Sequence, residues 1–265
     1  MRAFRVLWRL PAILVWTLGI WLTLLVGLVA LWPLSAARRD FRRWIFKTWS
    51  RGFLRILNVR ATVRGPRPPE PTLLISNHLS YLDIMLLAAE IPGCFVAKAE
   101  IRSWPLAGWI CRTVSTIFVD RELRRDVLRV GALMEQALSR GDSVVLFPEG
   151  TSTCGRDVAP FKSPLLAPAA AAGLAIHTAS VSYDTAPEDH PAHDAVCWWG
   201  EAPFAPHLRL MLEVRRIDAV IAFGEARLSH GDRKELTRLA HDQVTENFRP
   251  VVDFEPVDPW AGHGV

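Results

Sequence analysis

The stretch Leu73-Leu74-Ile75-Ser76-Asn77-His78-Leu79-Ser80-Tyr81-Leu82-Asp83 passes from an apolar run, through a polar turn, into the opening of a helix. An apolar run without alternation fits a strand buried on both faces, the usual state of a strand inside a parallel sheet. Outward from it, short β-rich runs alternate with helical stretches. Thr72–Ser76, Phe95–Ala97, Thr116–Val119, Ser143–Phe147 and Ile176–Tyr183 read as strands, and Leu82–Ala89, Leu123–Ser139, Ser163–Ala172 and Arg233–Phe248 as helices. Leu208–Phe223 reads as a long strand or hairpin, and the Pro-containing tail after Arg249 as poorly ordered. The alternation predicts an α/β fold with a mixed, largely parallel sheet flanked by helices, its functional loops lying where strands end.

The N-terminal part follows other rules. Residues 1–64 hold twelve Lys or Arg and one acid, Asp40, whereas the remainder holds 19 bases against 26 acids. No residue between Arg9 and Arg38 is charged, a stretch that would run roughly 42 Å as a helix against a hydrocarbon core of about 30 Å. Pro11, Gly19, Gly27 and Pro33 allow it to break or fold into a hairpin. From Arg38 to Leu57 apolar residues recur at helical spacing with bases between them, as in an interfacial amphipathic helix or a helix packed on a core. This predicts an N-terminal helical membrane anchor over 1–57, a domain over 58–250 and a tail over 251–265. Arg2, Arg5 and Arg9 before an apolar stretch also resemble a signal peptide, but the stretch is too long and the bases from Arg38 to Arg51 follow at once, a pattern retained on the cytoplasmic side. The expected place is the cytoplasmic membrane, with the domain facing the cytoplasm and membrane lipids as partners. A nucleic-acid partner is not expected, because the folded domain is acidic. Cys94, Cys111, Cys154 and Cys197 show no metal or disulfide spacing and read as buried thiols.

Three segments carry candidate chemistry. In the opening stretch, His78 and Asp83 span a strand-to-helix turn, a spacing that lets the carboxylate hold one imidazole nitrogen and leave the other as a general base. Ser80-x-x-Asp83 fits a helix cap equally well. Phe147-Pro148-Glu149-Gly150-Thr151 follows an apolar strand; its Pro and Gly fix a turn from which Glu149 would project, with Lys162 able to reach the same cleft. Ile117-Phe118-Val119-Asp120-Arg121 again ends a strand on charge, and Arg121 could clamp a phosphate. His190-Pro191-Ala192-His193 lies among acids in a Pro-containing loop and reads as solvated; no metal site is expected. Nucleophile-elbow, zinc-protease, P-loop and dinucleotide fingerprints are absent.

Taken together these blocks resemble the lysophospholipid acyltransferase superfamily, whose best-known members are the 1-acyl-glycerol-3-phosphate acyltransferases. The resemblance covers about Pro71–Tyr183. It implies His78 as base and Asp83 as its orienting partner, with Arg121, Glu149, Gly150 and Thr151 in the substrate pocket. Lys162 joins them as a candidate substrate ligand. The implied reaction moves an acyl group from acyl-CoA or acyl-carrier protein to a lysolipid hydroxyl, without a metal or redox cofactor. Three departures bear on the acceptor: Ser152-Thr153 stands where the family often has Arg-Ser, Ala175–Val181 lacks the family's prolines, and Ser163-Pro164 follows Phe161-Lys162 where the family frequently has Ser-Gly. A lyso-ornithine-type lipid therefore stands beside lysophosphatidic acid as acceptor. A lipid hydrolase and a non-catalytic membrane adaptor are the readings from other classes.

Overall fold

The computed structural model describes residues 1–103, 105–113, 116–119 and 124–261. In chain order the elements are α1 Arg2–Ala30, α2 Ser35–Leu57, β1 Val59–Arg64, β2 Leu73–Ser76, α3 Leu82–Glu90, β3 Gly93–Lys98, α4 Pro105–Thr113, β4 Ile117–Val119, α5 Arg124–Ser139 and β5 Ser143–Leu146. There follow α6 Ala167–Ala171, β6 Ile176–Thr185, α7 Ala192–Ala195, α8 Phe204–Glu213, β7 Ile217–Phe223 and α9 Arg233–Asn247. Seven strands form one sheet in the order β1-β7-β6-β2-β5-β3-β4. Every pairing is parallel except β6 with β7. The sheet is mixed and largely parallel, as expected.

Period-two alternation sorts the strand side chains onto two faces. Leu74, Phe95 and Val145 join the core beneath α2, α3 and α8, while Leu73, Ile75, Val144 and Leu146 join the core beneath α5, α6 and α9. Every residue of β2 and of β5 is buried, which explains their uninterrupted apolar sequence.

Several boundaries differ from the expectation, each for a local reason. Leu208–Phe223 is not one strand: residues 204–213 form α8 and only Ile217–Phe223 is extended. Leu208, Leu210, Leu212 and Val214 alternate with other residues like a strand, yet His207, Met211 and Leu212 also share one helical face and are the buried ones. Pro206 falls in the first helical turn, where its missing N–H is harmless. Ser163–Ala172 splits into a 3₁₀ turn and the short α6, each with proline at its start. The strand β1 and helix α4 were not anticipated. The described part of the tail, 251–261, forms no helix or strand, but Val252 is buried and the Val251 N–H bonds the Gly155 carbonyl at 2.8 Å. Cys94 and Cys197 are buried thiols; Cys111 and Cys154 are partly accessible.

At the N-terminus, α1 runs unbroken through Pro11, Gly19 and Gly27, and the chain turns only at 31–34 before α2 packs back along it. Ile13, Ile20, Trp21 and Leu24 form its buried stripe, with Leu7, Leu14, Leu18, Leu22, Leu25 and Val29 exposed on the other face. The helix is tied to the domain along its length. Arg5 donates to the Glu213 carbonyl at 2.6 Å, and Arg9 donates to those of Leu212 at 3.0 Å, Arg215 at 3.2 Å and Val214. These guanidiniums satisfy the carbonyls that the end of α8 leaves without partners. Further along, Trp16 donates to the Trp49 carbonyl at 3.0 Å, and Trp21 to the Thr113 hydroxyl at 2.9 Å.

Candidate active site

The parallel strands β2 and β5 lie side by side, with Ile75 opposite Leu146, so their carboxyl ends deliver two loops to one place. The first is the His78 turn and the second is Phe147–Thr151. A crevice outside the carboxyl ends of parallel strands is the usual position for ligands in such sheets.

Asn77 launches the first loop. Its side-chain amide donates to the Val181 carbonyl at 3.0 Å and its oxygen accepts from the Val181 N–H at 2.7 Å, prolonging the β2–β6 ladder by one side chain. The next residue is thereby turned out of the sheet. His78 Nδ1 lies 2.7 Å from Asp83 Oδ2, which also accepts the backbone N–H groups of Leu79 at 2.7 Å and Ser80 at 2.9 Å. Asp83 Oδ1 accepts the Tyr183 hydroxyl at 2.6 Å. The capping and orienting readings of Asp83 are therefore one arrangement: the carboxylate that closes the helix start also holds the imidazole. Asp83 is fully buried and satisfied by four donors, the condition for keeping a carboxylate inside a protein. As an acceptor it fixes the tautomer with hydrogen on Nδ1, so Nε2 presents a lone pair. Nε2 has no hydrogen-bond partner among the described residues. The imidazole stacks on Phe147 with centroids 4.2 Å apart, and 21% of its side chain remains exposed.

Glu149 points elsewhere than expected. The turn forms as predicted, with the Gly150 N–H on the Phe147 carbonyl at 3.2 Å and Gly150 at φ 78°, a left-handed conformation that favours glycine. The carboxylate, however, turns inward and is only 3% exposed. Its oxygens accept the His78 N–H at 2.6 Å and the Ala159 N–H at 3.1 Å. Glu149 thus straps the second loop to the backbone of His78. Burial pushes its carboxyl up to about 8, against the opposing pull of those two N–H donors. Thr151 is exposed on the rim. Lys162 is exposed too, its backbone N–H on the Pro148 carbonyl at 2.9 Å. Arg121 lies outside the described residues, beyond Val119 at the carboxyl end of β4. Lys98 ends β3 at the carboxyl edge of the sheet, exposed and paired in register with Val119 of β4; a base closing the apolar run Phe95-Val96-Ala97 was its signal in the sequence.

A third wall comes from 196–204. The Trp198 N–H bonds the Leu79 carbonyl at 2.7 Å, and Ser152 donates its hydroxyl to the Trp198 carbonyl. Tyr81, Trp198 and Phe204 meet edge to face, with centroids 5.3–6.2 Å apart. Behind them His207 donates Nε2–H to the Cys197 carbonyl at 3.0 Å and accepts the Tyr81 hydroxyl at 3.1 Å. Burial pushes this imidazole down to about 4, so it stays neutral. Asn77 and Phe147 lie inside the blocks quoted from the sequence but carried no role there, whereas Tyr183 and Trp198 had no signal as site residues, because each acts through a partner distant in sequence. In the 190–193 loop, His190 pairs with Glu213 at 3.2 Å and His193 with Asp194 at 3.6 Å.

This arrangement holds an oriented, partly exposed imidazole against the ring of Phe147, with Nε2 without a partner among the described residues. A family model described as Acyltransferase matches residues 59–182. The lyso-ornithine lipid O-acyltransferase of Pseudomonas aeruginosa is 35% identical over 210 residues, covering 78% of each chain. The 1-acyl-sn-glycerol-3-phosphate acyltransferase of Neisseria meningitidis is 36% identical over 135 residues, 50% of this chain and 53% of that one. The crystal structure of the 1-acyl-sn-glycerophosphate acyltransferase PlsC from Thermotoga maritima shares the fold, with a TM-score of 0.60 at 19% identity over 93% of this chain and 95% of that one. At such identity over most of both sequences, the chain belongs to the lysolipid O-acyltransferase family.

Proposed function

We propose that His78 removes the proton from the free hydroxyl of a lysolipid, oriented by Asp83, as that oxygen attacks the carbonyl of an acyl thioester carried by coenzyme A or acyl-carrier protein. The tetrahedral intermediate then expels the thiolate, which regains a proton from His78. The observation that carries this reading is the 2.7 Å contact from Nδ1 to a buried carboxylate with Nε2 left for substrate. General-base assistance of this kind contributes about 10²–10⁴-fold, and the rest of the acceleration comes from holding both lipids in place. Gly150, Thr151 and Lys162 border the acceptor, Arg121 is a candidate acceptor ligand on the sequence resemblance alone, and Glu149 acts through the backbone of His78.

The acceptor we favour is an ornithine-headed lysolipid, with lysophosphatidic acid second. The relative named for lyso-ornithine lipid aligns over 78% of the chain, the Neisseria relative over half. Ser152 stands where a cation would serve a phosphate, and its hydroxyl is engaged by the Trp198 carbonyl. An ornithine headgroup carries an amine and a carboxylate, so it needs no phosphate clamp there.

The membrane seat we propose is in-plane. Both the Arg5–Arg9 end of α1 and its Trp21 region are bonded to the same domain, which a helix with ends on opposite sides of a bilayer could not do. The exposed face of α1 would lie in the lipid of the cytoplasmic membrane, with the bases of α2 at the anionic surface and the domain in the cytoplasm.

The test is acyl transfer by the purified chain from labelled acyl-CoA and acyl-carrier protein to a panel of lysolipids. Diacyl product is expected with the wild type, reduced at least a hundredfold in His78→Ala. Free fatty acid as sole product would make the chain a hydrolase, and undiminished transfer by His78→Ala would refute the base.

A further inference from the structure

A groove of about 580 Å³ runs along β4, the outermost strand of the sheet. It reaches Cys94 and Asp142 at the amino ends of β3 and β5, the end of the sheet away from His78, and none of His78, Asp83, Glu149 or Lys162 lines it. Six arginines converge there from separate parts of the fold: Arg39 and Arg42 on α2, Arg102 in the 3₁₀ turn after β3, Arg112 in α4, Arg129 in α5 and Arg140 just beyond it. Two acids oppose them. Asp126 is taken up by Arg129 through bonds of 2.5 and 3.0 Å, and Asp142 faces Arg39, Arg42 and Arg43. Arg112 donates one N–H to the Arg102 carbonyl at 2.9 Å. The side chains of Arg39, Arg102 and Arg140 make no hydrogen bond or ion pair among the described residues.

Like charges gathered in a concave site repel one another and focus a positive potential, a cost that a bound anion relieves. The planar guanidinium fork matches the oxygens of a phosphate ester. The surroundings of the groove decide the source of that phosphate. Arg39 stands about one helical turn beyond Leu34, and the turn between α1 and α2 holds Trp32 and Leu34 out at 74% and 55% exposure. Arg38, next to Arg39, lays its guanidinium over the Trp32 ring at 5.4 Å. On the other wall α4, which supplies Arg112, packs on α1, where Trp21 meets Trp109 and donates to the Thr113 hydroxyl. Arginines bordered by exposed apolar and aromatic side chains match the layering of a bilayer surface, where Trp rings sit at headgroup level and bases meet lipid phosphates. A soluble anion has no use for the apolar border. A phospholipid uses both parts, its chains against the turn and its phosphate among the arginines.

We propose that this groove is a headgroup site for an anionic membrane phospholipid that is neither substrate nor product of the reaction. A single helix lying in the bilayer surface leaves the domain free to roll about the helix axis. A second contact at the β4 edge of the sheet fixes the roll, and with it the angle at which the His78 cleft meets the lipid. The role in roll rests on the in-plane seat proposed above, whereas the headgroup site does not.

The test uses the full chain, stripped of lipid in dodecyl maltoside micelles and then given phosphatidylglycerol or phosphatidylcholine, with retained lipid counted by native mass spectrometry. A single phosphatidylglycerol per chain is expected, and no phosphatidylcholine. Arg102→Gln with Arg140→Gln, both at exposed positions, should weaken retention by about tenfold or more. Arg51→Gln with Arg55→Gln, exposed on α2 but outside the groove, should change it by less than about twofold. Turnover in micelles free of phosphatidylglycerol should show wild-type kcat and wild-type KM for donor and acceptor in the groove variant. A rise in either KM would give the groove to a substrate and overturn the proposal. Equal losses from the two arginine pairs would overturn it as well, because a diffuse field would then replace a site. Displacement of the lipid by an equimolar amount of inorganic phosphate would mean a soluble anion and also overturn it. Retention is read without a bilayer, so a chain that holds the lipid through Arg102 and Arg140 but shows its termini on opposite faces of vesicles keeps the headgroup site and refutes the seat.

Discussion

Replacing Tyr183 with phenylalanine removes one hydroxyl from a ring that is 3% exposed and otherwise keeps its packing. That hydroxyl is the only donor to Asp83 Oδ1 among the described residues, at 2.6 Å, whereas Oδ2 keeps its three donors from His78, Leu79 and Ser80. A hydrogen bond to a charged group contributes about 1.5–3 kcal/mol, and the orphaned oxygen is too deeply buried for bulk water to replace it. At about 2–4 °C per kcal/mol for a domain of this size, the melting temperature should fall by about 3–12 °C. The catalytic effect should be smaller, below about tenfold in kcat, because the Oδ2 contacts still set the pose of the imidazole. A carboxylate stripped of one donor attracts the imidazolium proton more strongly, so a higher pH is needed to free the base. The acid limb of the kcat/KM profile should therefore move to higher pH. Scanning calorimetry and a pH–rate series on Tyr183→Phe read both effects. Coincidence with wild type in both would refute the reasoning, and a thousandfold loss of kcat without a shift would mean that the hydroxyl meets substrate directly.

Asp83→Asn should lower kcat about 10²–10⁴-fold while circular dichroism stays unchanged, since the amide can keep the backbone contacts but not the charge that supports an imidazolium. Glu149 holds its proton to about 8 in the folded chain and releases it near 4.5 when unfolded, so its stabilising contribution is complete below about 4.5 and is lost as pH rises through about 8. Glu149→Gln should therefore flatten the decline in melting temperature between pH 5 and 9; equal slopes would contradict this. Epitopes at the N- and C-termini should be reached from the same face of sealed vesicles, and labelling from opposite faces would exclude the in-plane seat. Leu18→Lys with Leu22→Lys, on the exposed face of α1, should release the chain from liposomes in a flotation assay.

Local chemistry made part of this molecule legible in its sequence. Uninterrupted apolar runs announced β2 and β5, proline and glycine announced the 147–150 turn, and the charge-free stretch announced α1, because burial and backbone freedom act residue by residue. The pairing of His78 with Asp83 was legible for the same reason, as only five positions separate them. Periodicity failed where one sequence satisfied two periods: residues 208–214 alternate like a strand but bury a helical face, and α1 and α7, which pack against it, supply the surface that decides between them. Tertiary structure alone placed Tyr183 against Asp83, turned Glu149 inward onto the His78 backbone, and tied both halves of α1 to one domain. Those outcomes depend on which strands become neighbours, and strand order is set by packing among residues a hundred positions apart rather than by any short stretch of chain.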